Sequence, residues 1–236
     1  GTGITTANGG MALGGTYLTL QRRLDNANNG TATYTGLAYG FTITSPGVFN
    51  NQLGSTFDYQ TDATISGTGI FNNPGTLLRT TSAAAGVIST TFNNTGIVDV
   101  QSGKLSLNGN GTHTGDFDST GAILDIGAGT QTFSATSDIT GTEVDFTGAT
   151  ATLSGTYNVT GATTITSGTV NFTGGTLNLI NIGPALTVSG GTATFSSGET
   201  VAPTTLNLSG GTISGSDNIT VSGLLTWSSG TMGGTG

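Results

Sequence analysis

Cysteine is absent from this 236-residue chain, which excludes a disulfide framework and a thiolate metal site. The absence does not exclude secretion, because a long repetitive fold needs no covalent staple. Charge is scarce as well: Asp, Glu, Lys and Arg make up 7% of the residues, with 4 cations, 12 anions and a net charge of −8. The cations Arg22, Arg23, Arg79 and Lys104 are too few to neutralise a nucleic-acid backbone or to form a polybasic membrane patch. No apolar run approaches the roughly 18 residues of a membrane-spanning helix. With His113 the only histidine, a His-rich metal site is excluded. Nor does any stretch of about ten residues keep a helical apolar period without a glycine, which argues against helix throughout.

Small and polar residues fill the chain instead. There are 50 Thr, 42 Gly, 21 Ser and 18 Asn. Leu, Ile, Val and Phe contribute 53 residues, just above the level below which chains fail to bury a core. Disorder is the rival reading of such a composition. Disordered chains, however, are rich in charge and poor in β-branched residues, and this chain is the reverse. Its apolar residues also alternate, which a linker has no reason to do.

Three phrases repeat: Phe49-Asn50-Asn51, Phe71-Asn72-Asn73 and Phe92-Asn93-Asn94, 22 and 21 residues apart, with a looser copy, Leu24-Asp25-Asn26, 25 residues before the first. Self-similarity at such a period is the signature of a solenoid, in which each phrase becomes one rung. Between the phrases the common pattern is Gly-Thr followed by apolar–polar–apolar, as in Gly168-Thr169-Val170-Asn171-Phe172, Gly175-Thr176-Leu177-Asn178-Leu179 and Gly191-Thr192-Ala193-Thr194-Phe195. Strict alternation reads as a short strand with one buried face. Gly pairs (Gly174-Gly175, Gly190-Gly191, Gly210-Gly211) punctuate the strands where corners need positive φ.

The expected fold is all-β: one parallel β-solenoid over residues 1–236, with roughly eleven coils of about 20–23 residues stacked about 4.8 Å apart. Residues 1–30 are expected as irregular first coils or a cap. Gly15 to Asn29 fits either a capping turn or a strand, Tyr17-Leu18-Thr19-Leu20, followed by a loop. Phe172 aligns with Phe195, and Leu186-Thr187-Val188 with Leu206-Asn207-Leu208. The repeated Asn is expected at a corner, bonding the Asn one coil away or local backbone groups.

Seven of the 12 acidic residues lie between Asp99 and Asp145: Asp99, Asp116, Asp118, Asp125, Asp138, Glu143 and Asp145. In Asp116-Phe117-Asp118 and Glu143-Val144-Asp145-Phe146 two carboxylates flank an inward apolar residue, so both are expected to point outward. Such pairs suit Ca²⁺ binding or acid–base cleavage of a polysaccharide, but a solvated acidic face is the plainer reading. The calcium nonapeptide is absent. His113, in Thr112-His113-Thr114, has no Gly-x-Ser-x-Gly elbow to serve. Thr-x-Thr pairs at Thr112/Thr114, Thr130/Thr132 and Thr150/Thr152 resemble the ice-binding face of antifreeze solenoids, while Thr164/Thr166 and Thr192/Thr194 read as out of step. The only tryptophan, Trp227, has the period of an inward residue and is expected in core or cap packing.

Taken together, Leu24-Asp25-Asn26-Ala27, the Phe-Asn-Asn series, the stretch Asn93 to Gly103, and Leu206-Asn207-Leu208-Ser209-Gly210-Gly211-Thr212 resemble the repetitive β-solenoid regions of large secreted bacterial surface proteins, the filamentous-haemagglutinin-like and autotransporter-type adhesins. The resemblance implies an extracellular, cell-surface stalk or fibre and carries over no functional residue: no catalytic residue, cofactor or metal. The chain departs from a complete adhesin in showing no secretion domain, anchor or distal binding domain. It opens without Met and looks like a processed product or a segment of something longer. Its two ends read as uncapped, so head-to-tail self-association into a filament is the expected partnership, with cell-surface glycans as further partners. A β-helix polysaccharide-degrading enzyme using the acidic stretch, and an ice- or carbohydrate-binding solenoid, are the alternatives.

Overall fold

The Phe-Asn-Asn phrases stack on one another in parallel. Phe71 pairs with Phe49 on one side and Phe92 on the other, Asn72 with Asn50 and Asn93. The looser copy joins the same column, Leu24 beside Phe49 and Asn26 beside Asn51. The computed structural model describes residues 3–37, 39–81, 83–173 and 176–236. They form an all-β parallel β-solenoid of about 11 turns, with no helix among them. The pair Gly174-Gly175 lies outside the described residues. The chain divides into two units, residues 1–118 and 119–236.

Each full turn of the first unit carries three strands, one for each of three ladders. The first ladder runs through Ile4–Ala7, Arg23–Asn26, Val48–Asn51, Ile70–Asn73 and Thr91–Asn94 to Gly111–His113. The second comprises Met11–Leu13, Thr31–Tyr34, Thr56–Tyr59, Thr76–Arg79 and Ile97–Val100. The third comprises Leu18–Leu20, Phe41–Ile43, Ile65–Ser66, Ala85–Ile88 and Lys104–Leu107. Arg23–Asn26 is therefore a strand, where a loop or capping turn was expected. Leu24 occupies a rung of the phenylalanine column, and that place in the ladder decides the segment's conformation.

In the second unit one ladder runs through Thr130–Phe133, Thr150–Leu153, Thr169–Thr173, Thr192–Ser196, Thr212–Gly215 and Thr231–Met232. Phe172 pairs with Phe195, and Leu186-Thr187-Val188 with Leu206-Asn207-Leu208, as the alternation predicted. Here strands of two ladders fuse: Asp138–Phe146 and Thr156–Ile165 are single strands of 9 and 10 residues. Their pairing slips by one residue between Gly141 and Glu143. Such a bulge bends a strand without ending it.

Alternation fills a narrow interior. Phe49, Phe71 and Phe92 are buried and meet edge to face, with ring centroids 5.0 and 5.1 Å apart. Contacts of this kind add about 0.5–1.5 kcal/mol per pair beyond area burial. Phe172 and Phe195 instead stack at 4.8 Å and 14°. Corners are tight. Gly211 sits at φ +69°, and a Cβ there would lie 2.6 Å from the Gly191 carbonyl oxygen, so glycine is required by both backbone and space.

Candidate functional site

The most ordered polar feature is a double column of asparagines on the first ladder. The second Asn of each phrase is fully buried: Asn26, Asn51, Asn73 and Asn94. Each amide nitrogen donates to the carbonyl of the next Asn along the chain: Asn26 to Asn51 at 2.9 Å, Asn51 to Asn73 at 2.7 Å and Asn73 to Asn94 at 2.8 Å. The same nitrogens donate to backbone carbonyls at the corner, those of Gly30 and Thr56 for Asn26, and of Ser55 and Thr76 for Asn51. Both anticipated roles are thus combined in one side chain.

The first Asn of each phrase forms an outer column that points the other way. Asn93 donates to Asn72, Asn72 to Asn50, and Asn50 to the Asp25 carboxylate at 2.7 Å. Asp25 is 3% exposed and also accepts from Arg23 Nε at 2.8 Å and Gln52 Nε2 at 2.9 Å. Burial pushes its carboxyl up, but the Arg23 and Asn50 hydrogen bonds, the Arg23 charge and the Gln52 hydrogen bond outweigh burial and hold it below the ordinary value.

The acidic residues are distributed over both units. Asp99, Asp116 and Asp118 belong to the first unit and Asp125, Asp138, Glu143 and Asp145 to the second. Asp99 and Asp118 are paired neighbours, and Asp99 accepts from Gln101 at 2.6 Å. Asp116 and Asp118 point outward around buried Phe117, as expected. Asp145 does not share that exposure: it is 9% exposed, and Asp125 is 7% exposed with the Thr147 hydroxyl donating to it at 2.8 Å. Neighbouring rungs about 4.8 Å away cover such short side chains. Among the described residues no three of His, Cys, Asp and Glu come together as a metal-holding group.

His113 is fully buried. It takes the rung after Asn94, its ring edge-on to Phe117 at 5.0 Å, and its Nδ1 accepts the Asn94 backbone N–H at 3.4 Å. It is a core residue. Trp227, expected in core or cap packing, is 55% exposed. Its strand, Leu225–Trp227, pairs with Thr205–Leu208, and its indole N–H donates to the Gly230 carbonyl at 3.3 Å. The threonine register also differs from expectation. Thr130/Thr132 stack on Thr150/Thr152, but Thr192/Thr194 are in step after all. The columns run Thr130, Thr150, Thr169, Thr192, Thr212, Thr231 and Thr132, Thr152, Asn171, Thr194, Ser214. Turns of unequal length hide this alignment when one fixed period is imposed.

Sequence reasoning missed Arg79, read as one of four sparse cations. It is completely buried, with its guanidinium 5.1 Å from the Tyr59 ring centroid. Nη1 donates to the Thr61 carbonyl at 2.7 Å, and Nη2 to Asp62 at 2.7 Å and to the Ala84 carbonyl at 3.0 Å. The alternation of Thr76-Leu77-Leu78-Arg79 was the available signal, since Arg79 has the inward parity of Leu77. Comparison of the chain with family models, curated proteins and solved structures returns no match, so the functional reading rests on this geometry.

Two outcomes follow from the columns. The Oδ1 of Asn26 is buried without a partner because its rung neighbour is Ala7. Ala7→Asn supplies the missing amide and should stabilise the protein by about 1 kcal/mol in chemical denaturation; a destabilised variant would contradict the ladder. Because the Asp25 carboxyl is held down in the fold, its contribution is complete above the ordinary value of 3.8 and is lost as pH falls through the depressed folded value. Asp25→Asn should therefore flatten the acid limb of a melting-temperature profile while leaving its shape at neutral pH unchanged.

Proposed function

We propose that this protein is a non-enzymatic structural element, a rigid segment of an extracellular, cell-surface stalk or fibre. The observation that carries the reading is the continuity of the ladders within each unit: backbone pairing repeats rung after rung, and asparagine columns line four rungs of the first unit. Each rung gains from its neighbours, so such a body gains stability as rungs are added.

The same reading includes head-to-tail assembly. Among the described residues Ile4–Ala7 pairs on one side only, with Arg23–Asn26, and Leu225–Trp227 and Thr231–Met232 likewise pair on one side. Their edges expose Ile4 at 54%, Leu225 at 46% and Trp227 at 55%. A parallel strand of a second copy satisfies such an edge, and a heterologous contact of this kind repeats into an open filament. Electron microscopy across a concentration series should show filaments that Ile4→Pro and Leu225→Pro each shorten or abolish. Isolated rods at every concentration, or filaments unchanged by both substitutions, would remove self-assembly from the proposal.

The threonine register favours a second reading for the second unit. Its two columns of Thr, Asn and Ser, with strands about 4.8 Å apart, bring no charged residue to that face and offer a regular grid of hydroxyls and methyls to ordered water. An ice-binding role predicts thermal hysteresis in freezing-point measurements that Thr150→Lys and Thr192→Lys remove. Hysteresis no greater than that of an inert protein of equal mass would end this reading.

A further inference from the structure

The first unit exposes an aromatic cluster that the core does not need. Tyr17 and Tyr39 stack face to face, centroids 4.3 Å apart and planes within 11°, yet they are 69% and 63% exposed. Leu37, 61% exposed, is drawn to the Tyr17 turn by its backbone N–H, which donates to the Gly15 carbonyl at 2.8 Å. Every other tyrosine of this unit is fully buried. Large apolar side chains gathered in solvent add little to folding, and clusters of them mark binding surfaces.

Leu37 also forms one wall of a shallow cleft of about 340 Å³, with Gly36, Thr61, Asp62 and Ala63 as its other lining residues. Two features of the cleft point to a polar ligand. Asp62 holds its carboxylate half exposed, at 48%, fixed by the ion pair with buried Arg79. Directly behind Gly36, the Tyr34 hydroxyl is buried with no hydrogen-bond partner, and a Cβ on Gly36 would lie 3.1 Å from it. Burial pushes Tyr34 up to about 12, so it remains a protonated donor. The walls are braced from within: Arg79 binds the Thr61 carbonyl and Asp62, and the Thr61 hydroxyl donates to the Gly36 carbonyl at 2.7 Å. Polar groups held in place by a buried support lose little freedom when a ligand arrives.

The chemistry selects the ligand. The guanidinium beside the cleft is wholly buried and committed to Asp62 and backbone carbonyls, so an anion would meet a carboxylate and no available cation. A neutral molecule with an apolar face for the tyrosine rings and hydroxyls for Asp62 fits. We propose that Tyr17, Tyr39, Leu37 and Asp62 form a binding site for a neutral pyranose unit of a glycan chain, making the stalk itself a carbohydrate-binding surface. This goes beyond the structural role and does not depend on filament formation.

The test is isothermal titration of the purified full chain with cellotetraose, mannotetraose, chitotetraose and, as the anionic comparison, tetragalacturonate. At least one neutral tetramer should bind with millimolar affinity or better. Tyr17→Ala and Tyr39→Ala should each weaken it by about tenfold or more, a loss of about 1.4 kcal/mol, with the melting temperature unchanged because both rings are exposed. No neutral tetramer binding at about 10 mM, binding indifferent to Tyr17→Ala, or tetragalacturonate binding equally well would each overturn the proposal.

Discussion

Parallel stacking places every residue over its counterpart one turn away, and this self-superposition is the constraint on which the rest of the structure depends. An apolar residue is then packed by its own copies. A buried polar residue must be satisfied by its own copies too, which few side chains can manage. Asparagine can, because its amide carries a donor and an acceptor at opposite corners. Like-charged side chains in the same column would repel. The buried column accordingly consists of Asn26, Asn51, Asn73 and Asn94, each donating to the next, and aligned amides polarise one another.

The outer asparagine column runs in the opposite sense and ends on a charge. Its amides all donate toward Asp25, whose carboxylate accepts from Asn50, Arg23 and Gln52. A single anion is tolerable there because four donors surround it and a guanidinium balances it. Arg79 solves the matching problem for a cation. Its buried guanidinium is neutralised by Asp62 and bonded to backbone carbonyls of two loops. Without those contacts a charge inside the barrel of phenylalanine and tyrosine rings would cost several kcal/mol. With them it ties two loops to the core.

These columns also set the room left to the other polar side chains. A rung only about 4.8 Å thick leaves no depth for a cleft unless a loop departs from the repeat. The acidic residues stay spread along strands for this reason, and His113 is drawn into the interior as one more rung. The departures are few, and the loop carrying Leu37 and Tyr39 is one of them.

The architecture was legible because the determining pattern is local and repeated. Alternation in Gly-Thr-Val-Asn-Phe and its relatives marks strands, and the Phe-Asn-Asn spacing marks the turn length; together they gave a parallel solenoid of about 11 turns and the pairing of Phe172 with Phe195. What stayed hidden depends on register between turns of unequal length. Thr192 falls in line with Thr169 although 23 residues separate them, against 19 between Thr150 and Thr169, and the strand conformation of Leu24 follows from its place beside Phe49. Burial of Arg79 and Asp145, and exposure of Tyr17, Tyr39 and Trp227, were likewise decided by what a neighbouring turn places over them. The sequence by itself determined the period, the alternation and the fold class, since these arise within one turn; the tertiary structure decided which side chains meet wherever turns differ in length, because register there is set between turns.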